Sequence, residues 1–494
     1  MVFNNSILLG AAGQGGAAAF DTTLIGNSVW LDGSADDLDR STSSHSSTEV
    51  VMACWFQLTT TSTGNIGLMG LGTGTGGSTN AGLWLSGNRM YLYNAGQGAV
   101  AEQLLRDSGW YHVLGSWKLD ESGTNKGKLY INGTEVTDWN DDRRGSFGTA
   151  FGSTATQSVG SIFTGTFLNG YIAQPVMLDG QSIQGGDVAI TDFVDTFTFG
   201  TNGLQIIPKA DADIAALAST AGGNSFCLDF ANSSDLGNDI SSNNNDLTPN
   251  SMSSVNQSVS TPSKTYSVFN PNAKRSSAFT LSNGNRTTVT PTYDQWMKTT
   301  VPFVMSGSNI IRTQFTFSTL GDGLCGITGS PHTTGTYYTN TAAGRGEVAL
   351  LGNGALTVDG SFNNTYTSAL SNGDVVDVIV NLDVGAVYFA VNGTLLNGAT
   401  ESEIEAGTTT NAAQTGGSFV RRAAGEVFNY YVGQYNPSAA TIDYNSGQTA
   451  FTHSYSNITS LISLNTADLT APDYQGIDYF DSTIYEGNGT GQRV

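Results

Sequence analysis

KLYINGTEV (residues 128–136) and AVYFAVNGTLL (residues 386–396) decide the fold. In each, an alternating apolar run enters Asn-Gly, a dipeptide that accepts the positive φ angles of a type I′ turn, and the chain returns as a second strand. Each is preceded by Leu-Asp and a turn, at Leu119-Asp120 and Leu382-Asp383. The echo implies two similar meanders, one in each half. Around them the chain reads as strands of about five to eight residues, rich in Val, Ile, Thr, Tyr and Phe, with turn residues at roughly 8- to 12-residue spacing. That is the rhythm of β-sandwiches. Helical patterning is confined to GGDVAITDFV (185–194) and DADIAALAST (211–220), and the second opens on acidic residues that suit a helix N-terminus.

Composition narrows the function classes. Of 494 residues, 62 are Gly and 10 are Pro, so turns are plentiful, and no G-X-Y period is present. Lys and Arg number 19 against 41 Asp and Glu, a net charge of −22 that repels nucleic-acid phosphates and anionic lipid. No nucleic-acid partner is expected. No apolar run approaches the roughly 18 residues of a membrane span, so no membrane insertion is expected. Cys54, Cys227 and Cys325 lie far apart, and one of three must stay unpaired, so packing and not a disulfide framework holds the chain. The opening MVFNNSILLGAAGQGGAAAF has no basic residue before Arg40 and reads as a poor secretory signal.

Several longer stretches resemble known families. VWLDGSADDLDR (29–40), VVMACWFQL (50–58), GWYHVLGSWKLD (109–120), KLYINGTEV and FLNGYIAQPVMLDG (167–180) follow the order of a laminin-G-like, concanavalin A-like jelly roll. GDGLCGI (321–327), NGDVVDVIVNLDVGAVYFAVNGTLL (372–396) and ATIDYNSGQTAFTH (440–453) resemble a SPRY domain, itself a concanavalin-like sandwich. Their joining, with LDFANSSDLGNDISSNNNDLTPN (228–250) between them and YFDSTIYEGNGT (479–490) near the end, resembles structural proteins of tailed bacteriophages, marine phage tail fibres in particular.

The resemblance implies an all-β chain: two concanavalin-like antiparallel jelly-roll sandwiches joined by a connector with a short helix, plus an N-terminal arm and an irregular C-terminal tail. The boundaries expected are 1–28 for the arm, 29–200 for the first sandwich, 201–265 for the connector with one docked strand, 266–471 for the SPRY-like sandwich and 472–494 for the tail. It implies a virion-surface protein, made in the host cytoplasm without a signal peptide: a tail fibre, spike or fibre-like decoration attaching to host-surface glycan or receptor by binding, with other virion proteins as partners. Self-association, as in trimeric fibres, is expected. A capsid decoration protein that stabilises the shell is the second reading, and a concanavalin-like glycan hydrolase the third.

Residue chemistry refines this picture. Sugars stack apolar faces on exposed rings, and the candidates are Trp84, Tyr91, Tyr93, Trp139, Tyr337 and Tyr338. Trp30, Trp55, Trp110 and Trp117 lie in strand patterns and read as core. No cofactor is required, although the oxygen clusters Asp32, Asp36, Asp37, Asp39 and Asp235, Asp239, Asp246 suit structural Ca²⁺ as well as turn chemistry. Glu401, Glu403 and Glu405 alternate, so a strand would align their carboxylates on one face as a glycosidase needs; an acidic loop is the plainer reading. No enzyme is expected. His45, His112, His332 and His453 lie in no nucleophile-elbow or HExxH context, and GTNKGKL (123–129) is a hairpin turn, not a phosphate loop. In the arm, Val2, Phe3, Ile7, Leu8 and Leu9 among small residues are expected to anchor the protein to a particle.

Overall fold

The computed structural model describes residues 24–42, 45–59, 64–72, 80–105, 109–152, 155–162, 166–199, 203–275, 278–291, 295–305, 307–329, 347–413 and 427–465. Val2, Phe3, Ile7, Leu8 and Leu9 of the arm, Tyr337 and Tyr338, and the tail from 472 lie outside them. Both halves are two-sheet sandwiches, antiparallel except where Leu461–Ser463 runs parallel to Ile310–Thr319.

In the first sandwich, Glu49–Leu58 is central to one sheet, between Trp110–Lys118 and Asn169–Asp179. All of its residues after Glu49 are buried, for a reason visible on its two faces. Val50, Met52, Cys54, Phe56 and Leu58 enter the inter-sheet core. On the other face Val51 and Ala53 pack with Ile214, Ala215 and Ala218 of the helix Asp211–Thr220, and Trp55 packs with Ile25, Val194 and Ile206. A strand covered on both sides loses the apolar/polar alternation that one solvated face imposes. Full burial of a side chain such as Ile214 stabilises this layer by about 1.5–3 kcal/mol. The opposing sheet runs Trp139–Asp141, Gln97–Leu104, Arg89–Asn94, Ala81–Ser86, Asn65–Gly72, Ala155–Val159, Asp37–Thr42 and Thr248–Asn250.

Two expectations change here. The stretch 203–265 is no connector with one docked strand: Phe226–Cys227, Thr248–Asn250 and Gln257–Ser258 pair with Asn169–Asp179, Asp37–Thr42 and Ser28–Asp32 and complete the first sandwich. Strands of two or three residues carry too little alternation to be legible. The pattern 185–194 yields only the 3-10 turn Ile190–Asp192, because the chain then enters the hairpin strand at Val194.

The second sandwich places Val427–Gln434 beside Gly323–Gly329 in one sheet and Ile310–Thr319 beside Val375–Asn381 in the other. Met297, Phe315, Phe317, Ile327, Val378 and Phe389 fill its core. The Asn-Gly turns are as expected: Asn132 and Asn392 have φ of 50° and 48°, and Gly133 and Gly393 follow at 73° and 79°. On the outer face of the second sheet, Arg312 Nε donates to Asp377 Oδ1 at 2.7 Å, and Tyr455 Oη donates to Asp377 Oδ2 at 3.0 Å. Arg312 also donates through Nη2 to the carbonyl of His453, and its guanidinium lies between the rings of Phe451 and Tyr455, at 4.4 and 4.6 Å. This buried pair fastens the segment 451–455 onto the sheet.

The sandwiches meet through the turn of the hairpin Thr280–Ser282/Thr287–Val289. Tyr171 Oη donates to the Gly284 carbonyl at 3.0 Å, and Asn285 Nδ2 donates to the Thr59 carbonyl at 2.5 Å. Gly284 has φ of +64°, and a Cβ there would stand 2.2 Å from Tyr171 Oη. Only glycine allows this seat. Cys54, Cys227 and Cys325 are all buried as free thiols, and burial pushes each thiol pKa upward.

Candidate functional site: an aromatic sheet face and an inter-sandwich cleft

Strands Ala81–Ser86 and Arg89–Asn94 form a two-residue hairpin whose register sets Trp84 opposite Tyr91 and Gly82 opposite Tyr93. Side chains of directly paired residues share a face, so Trp84, Tyr91 and Tyr93 stand together on the outer side of the first sandwich's second sheet. Their inward neighbours Leu83, Leu85, Met90 and Leu92 belong to the core. Trp84 meets Tyr91 edge-on at 5.1 Å and Tyr93 at 6.0 Å between ring centroids. All three rings are half-buried.

Glycines make room for these rings. Gly98 lies opposite Tyr93, and a Cβ on it would come within 2.9 Å of the Tyr91 ring. Arg89, on the same face, forms a salt bridge with Glu102 at 3.2 Å. The result is a half-exposed aromatic ledge with a charged pair at one end. Trp84 Nε1 is buried and has no hydrogen-bond partner among the described residues, where the indole is held by its faces.

The other candidate residues are placed differently. Trp139 does not join the ledge: it pairs with Ala101, whose methyl points into the core, and so packs against that core under the guanidinium of Arg144 at 4.5 Å. Trp55, Trp110 and Trp117 are buried as expected, but Trp30 is only half-buried. His112 is buried against Trp55 at 5.2 Å, and burial lowers its pKa to about 3, so its ring is neutral.

Glu401, Glu403 and Glu405 share no strand face. They form the helix Glu401–Glu405, capped by Thr400 Oγ1, which accepts from the Glu403 amide. Their carboxylates hold loops: Glu401 accepts from the Asn457 amide, Glu403 from Asn411, and Glu405 from Thr459 and Ser460. The spacing Thr-x-x-Glu was the available signal, because a capping residue three positions ahead of Glu marks a helix start.

The aspartates are engaged in turns. Asp36 Oδ2 accepts from the Asp32 amide and from Asn256 Nδ2, both at 3.1 Å; burial first, and then the charge of Asp32, raise its pKa. Asp32 accepts from the backbone and hydroxyl of Ser34. Asp37 accepts from Ser161 and Asn250. Asp239 accepts from the amides of Cys227, Ser241 and Asn245, and its own amide donates to Asp246. Asp235 is exposed. Among the described residues, no group of three or more His, Cys, Asp or Glu side chains is placed to hold a metal ion.

A second concavity was not legible in the sequence. Between the sandwiches lies an open cleft of about 570 Å³, with Trp30, Asp32 and Asn169 on one wall and Lys274, Leu281 and Ser282 on the other. Its size falls within the range of about 300–1,000 Å³ usual for small-molecule sites, which favour domain interfaces. Trp30 looked like core because its neighbours Val29 and Leu31 are core; it faces instead the turn that carries Gly284.

No family model matches this sequence, and no curated protein is similar to it. Solved structures with a similar fold include the SPRY domain of human HERC1, at 11% identity and a TM-score of 0.28, over 37% of this chain and 99% of that one. A heptameric SAP-like pentraxin from Limulus polyphemus is similar at 10% identity and a TM-score of 0.26, over 39% of this chain and 98% of its own. Trypanosoma rangeli sialidase is similar at 14% identity and a TM-score of 0.21; the chain spans 20% of it. At such identities the likeness concerns fold alone.

Proposed function

We propose that the protein is a surface component of a tailed-bacteriophage particle, a tail fibre, spike or fibre-like decoration, that attaches to host-surface glycan by binding and not by catalysis. The observation that carries the glycan reading is the ledge of Trp84, Tyr91 and Tyr93, half-exposed on a sheet face and flanked by glycine. Sugar rings present C–H faces to aromatic rings and hydroxyls to neighbouring polar groups, and Arg89 and Glu102 supply both a donor and an acceptor at the end of the ledge. The phage assignment rests on the sequence resemblance of the two sandwich halves and their junction. A low charge density suits a surface exposed to varying salt, since little stability depends on exposed ion pairs.

The test has two arms. Retention on immobilised host polysaccharide falls at least tenfold in Trp84→Ala, while the fold, read by circular dichroism, persists; unchanged retention would remove the ledge from the site. Particles lacking the protein assemble but fail to adsorb. Normal adsorption with a less heat-stable shell would instead assign the protein to shell stabilisation. Deleting residues 1–20 abolishes incorporation into particles if the arm is the anchor.

A further inference from the structure

We infer that the cleft between the two sandwiches binds an acidic saccharide unit, a sugar ring that carries a carboxylate. None of its residues belongs to the aromatic ledge, so the inference stands or falls separately from that reading.

Consider first which polar groups of the cleft are already engaged. Asp32 is partly engaged: Oδ1 accepts from the Ser34 and Ala35 amides and Oδ2 from the Ser34 hydroxyl. Asn169 Oδ1 accepts from Thr59 Oγ1 at 2.6 Å, which leaves its Nδ2 as a donor without a partner among the described residues. Lys274 is half-buried on the opposite wall, and its ammonium has no hydrogen-bond or ion-pair partner among the described residues. Ser282 Oγ, at the rim, is likewise uncommitted. The groups left open include an ammonium, an amide N–H and the hydroxyls of Thr280 and Ser282, the first two of them pure donors. A carboxylate is the complementary acceptor, and a charge-assisted bond to Lys274 is roughly twice as strong as a neutral one.

The rest of the lining mixes the apolar Trp30, Pro271, Phe279 and Leu281 with the polar Thr59, Thr280, Asn283 and Asn285. The half-buried Trp30 stands on the first sandwich's wall, and Leu281 and the buried Phe279 on the second's. A sugar ring offers an apolar face and a polar edge together, and a small inorganic anion has no use for the apolar wall. The protein's overall negative charge does not forbid an anionic guest, because charges beyond about 8 Å are screened at physiological ionic strength; Asp32, on the cleft wall itself, repels a carboxylate placed beside it, so the guest's carboxylate belongs on the opposite wall at Lys274.

The cleft also explains why the sandwiches are joined so closely. Its walls come from Trp30, Asp32, Thr59 and Asn169 on one side and from Pro271, Lys274 and 279–285 on the other, so neither sandwich holds it alone. The tight seating of Gly284 against Tyr171 and Trp30 fixes the distance between the walls.

The experiment titrates the full chain with a glucuronate-terminated disaccharide and with its neutral glucose counterpart, read by tryptophan fluorescence and by ligand-detected NMR. Saturable binding of the acidic disaccharide is expected, with affinity that falls as salt rises and at least tenfold tighter than that of the neutral one. Lys274→Gln, at a half-exposed position, removes that preference, and Thr280→Trp at the exposed rim blocks binding without unfolding. Trp84→Ala leaves it unchanged. Absence of saturable binding, equal affinity for the two disaccharides, or full retention in Lys274→Gln overturns the proposal. Loss in Trp84→Ala alone assigns the binding to the ledge and likewise overturns it.

Discussion

Replacing Asp377 by Ala tests the reading of the ion pair that fastens the segment 451–455. Asp377 is fully buried, and the Arg312 side chain is 3% exposed. Removal of the carboxylate takes away the Arg312 Nε bond at 2.7 Å and the Tyr455 hydroxyl bond at 3.0 Å, and it leaves a guanidinium buried with only the His453 carbonyl and two ring faces. An uncompensated buried charge of this kind costs about 3–5 kcal/mol, whereas replacing both partners by apolar residues is neutral or better. Asp377→Leu with Arg312→Met should therefore recover most of the loss. Urea unfolding followed by fluorescence can isolate the effect, because Trp296 is the sole tryptophan beyond residue 139. In a background in which the first-half tryptophans are Phe, the midpoint falls by at least about 1 M for a slope of about 1–3 kcal/mol/M. A fall under about 0.3 M, or a double variant no more stable than the single one, would refute the argument.

Three further outcomes follow from other contacts. Burial raises the pKa of Asp211 from 3.8 to about 6, against a bond from Gln174 that lowers it. The fold therefore holds this proton more tightly than the unfolded chain, stability from this group falls as pH rises from about 4 to 6, and Asp211→Asn should gain about 1–2 kcal/mol at pH 7 and nothing at pH 3.5, as read by melting at the two pH values. Gly284→Val strains a +64° φ and drives its side chain into Tyr171; limited proteolysis should then release two sandwich fragments, and an unchanged digest would show that the joint does not depend on this turn. Thr400→Ala removes the cap of Glu401–Glu405 and should cost about 1 kcal/mol, seen as faster amide exchange in 401–411, where unchanged exchange would discount the cap.

The sequence carries the sandwiches because their signals are local. Asn132-Gly133 and Asn392-Gly393 turn as their chemistry demands, and the long strands 49–58 and 375–381 are apolar enough to stand out. The ledge was legible in part: Trp84, Tyr91 and Tyr93 alternate with core residues, whereas Trp139 needed the register with Ala101 to be placed. Glu401, Glu403 and Glu405 misled because five residues of alternation fit a strand, while the tertiary contacts of 457–460 hold a helix turn. The cleft had no signal at all. Its walls are assembled from segments more than 100 residues apart, and no local pattern reports such a meeting.

The three thiols shielded inside the sandwiches give the chain a practical property. Thiolate is the reactive form, and burial both suppresses it and denies reagents access. A cysteine introduced at an exposed site such as Ser282 or Asp120 would be the single fast-reacting handle for a dye, spin label or crosslinker, with no need to replace the natural ones. Distances across the joint are then open to spectroscopy on otherwise unaltered protein.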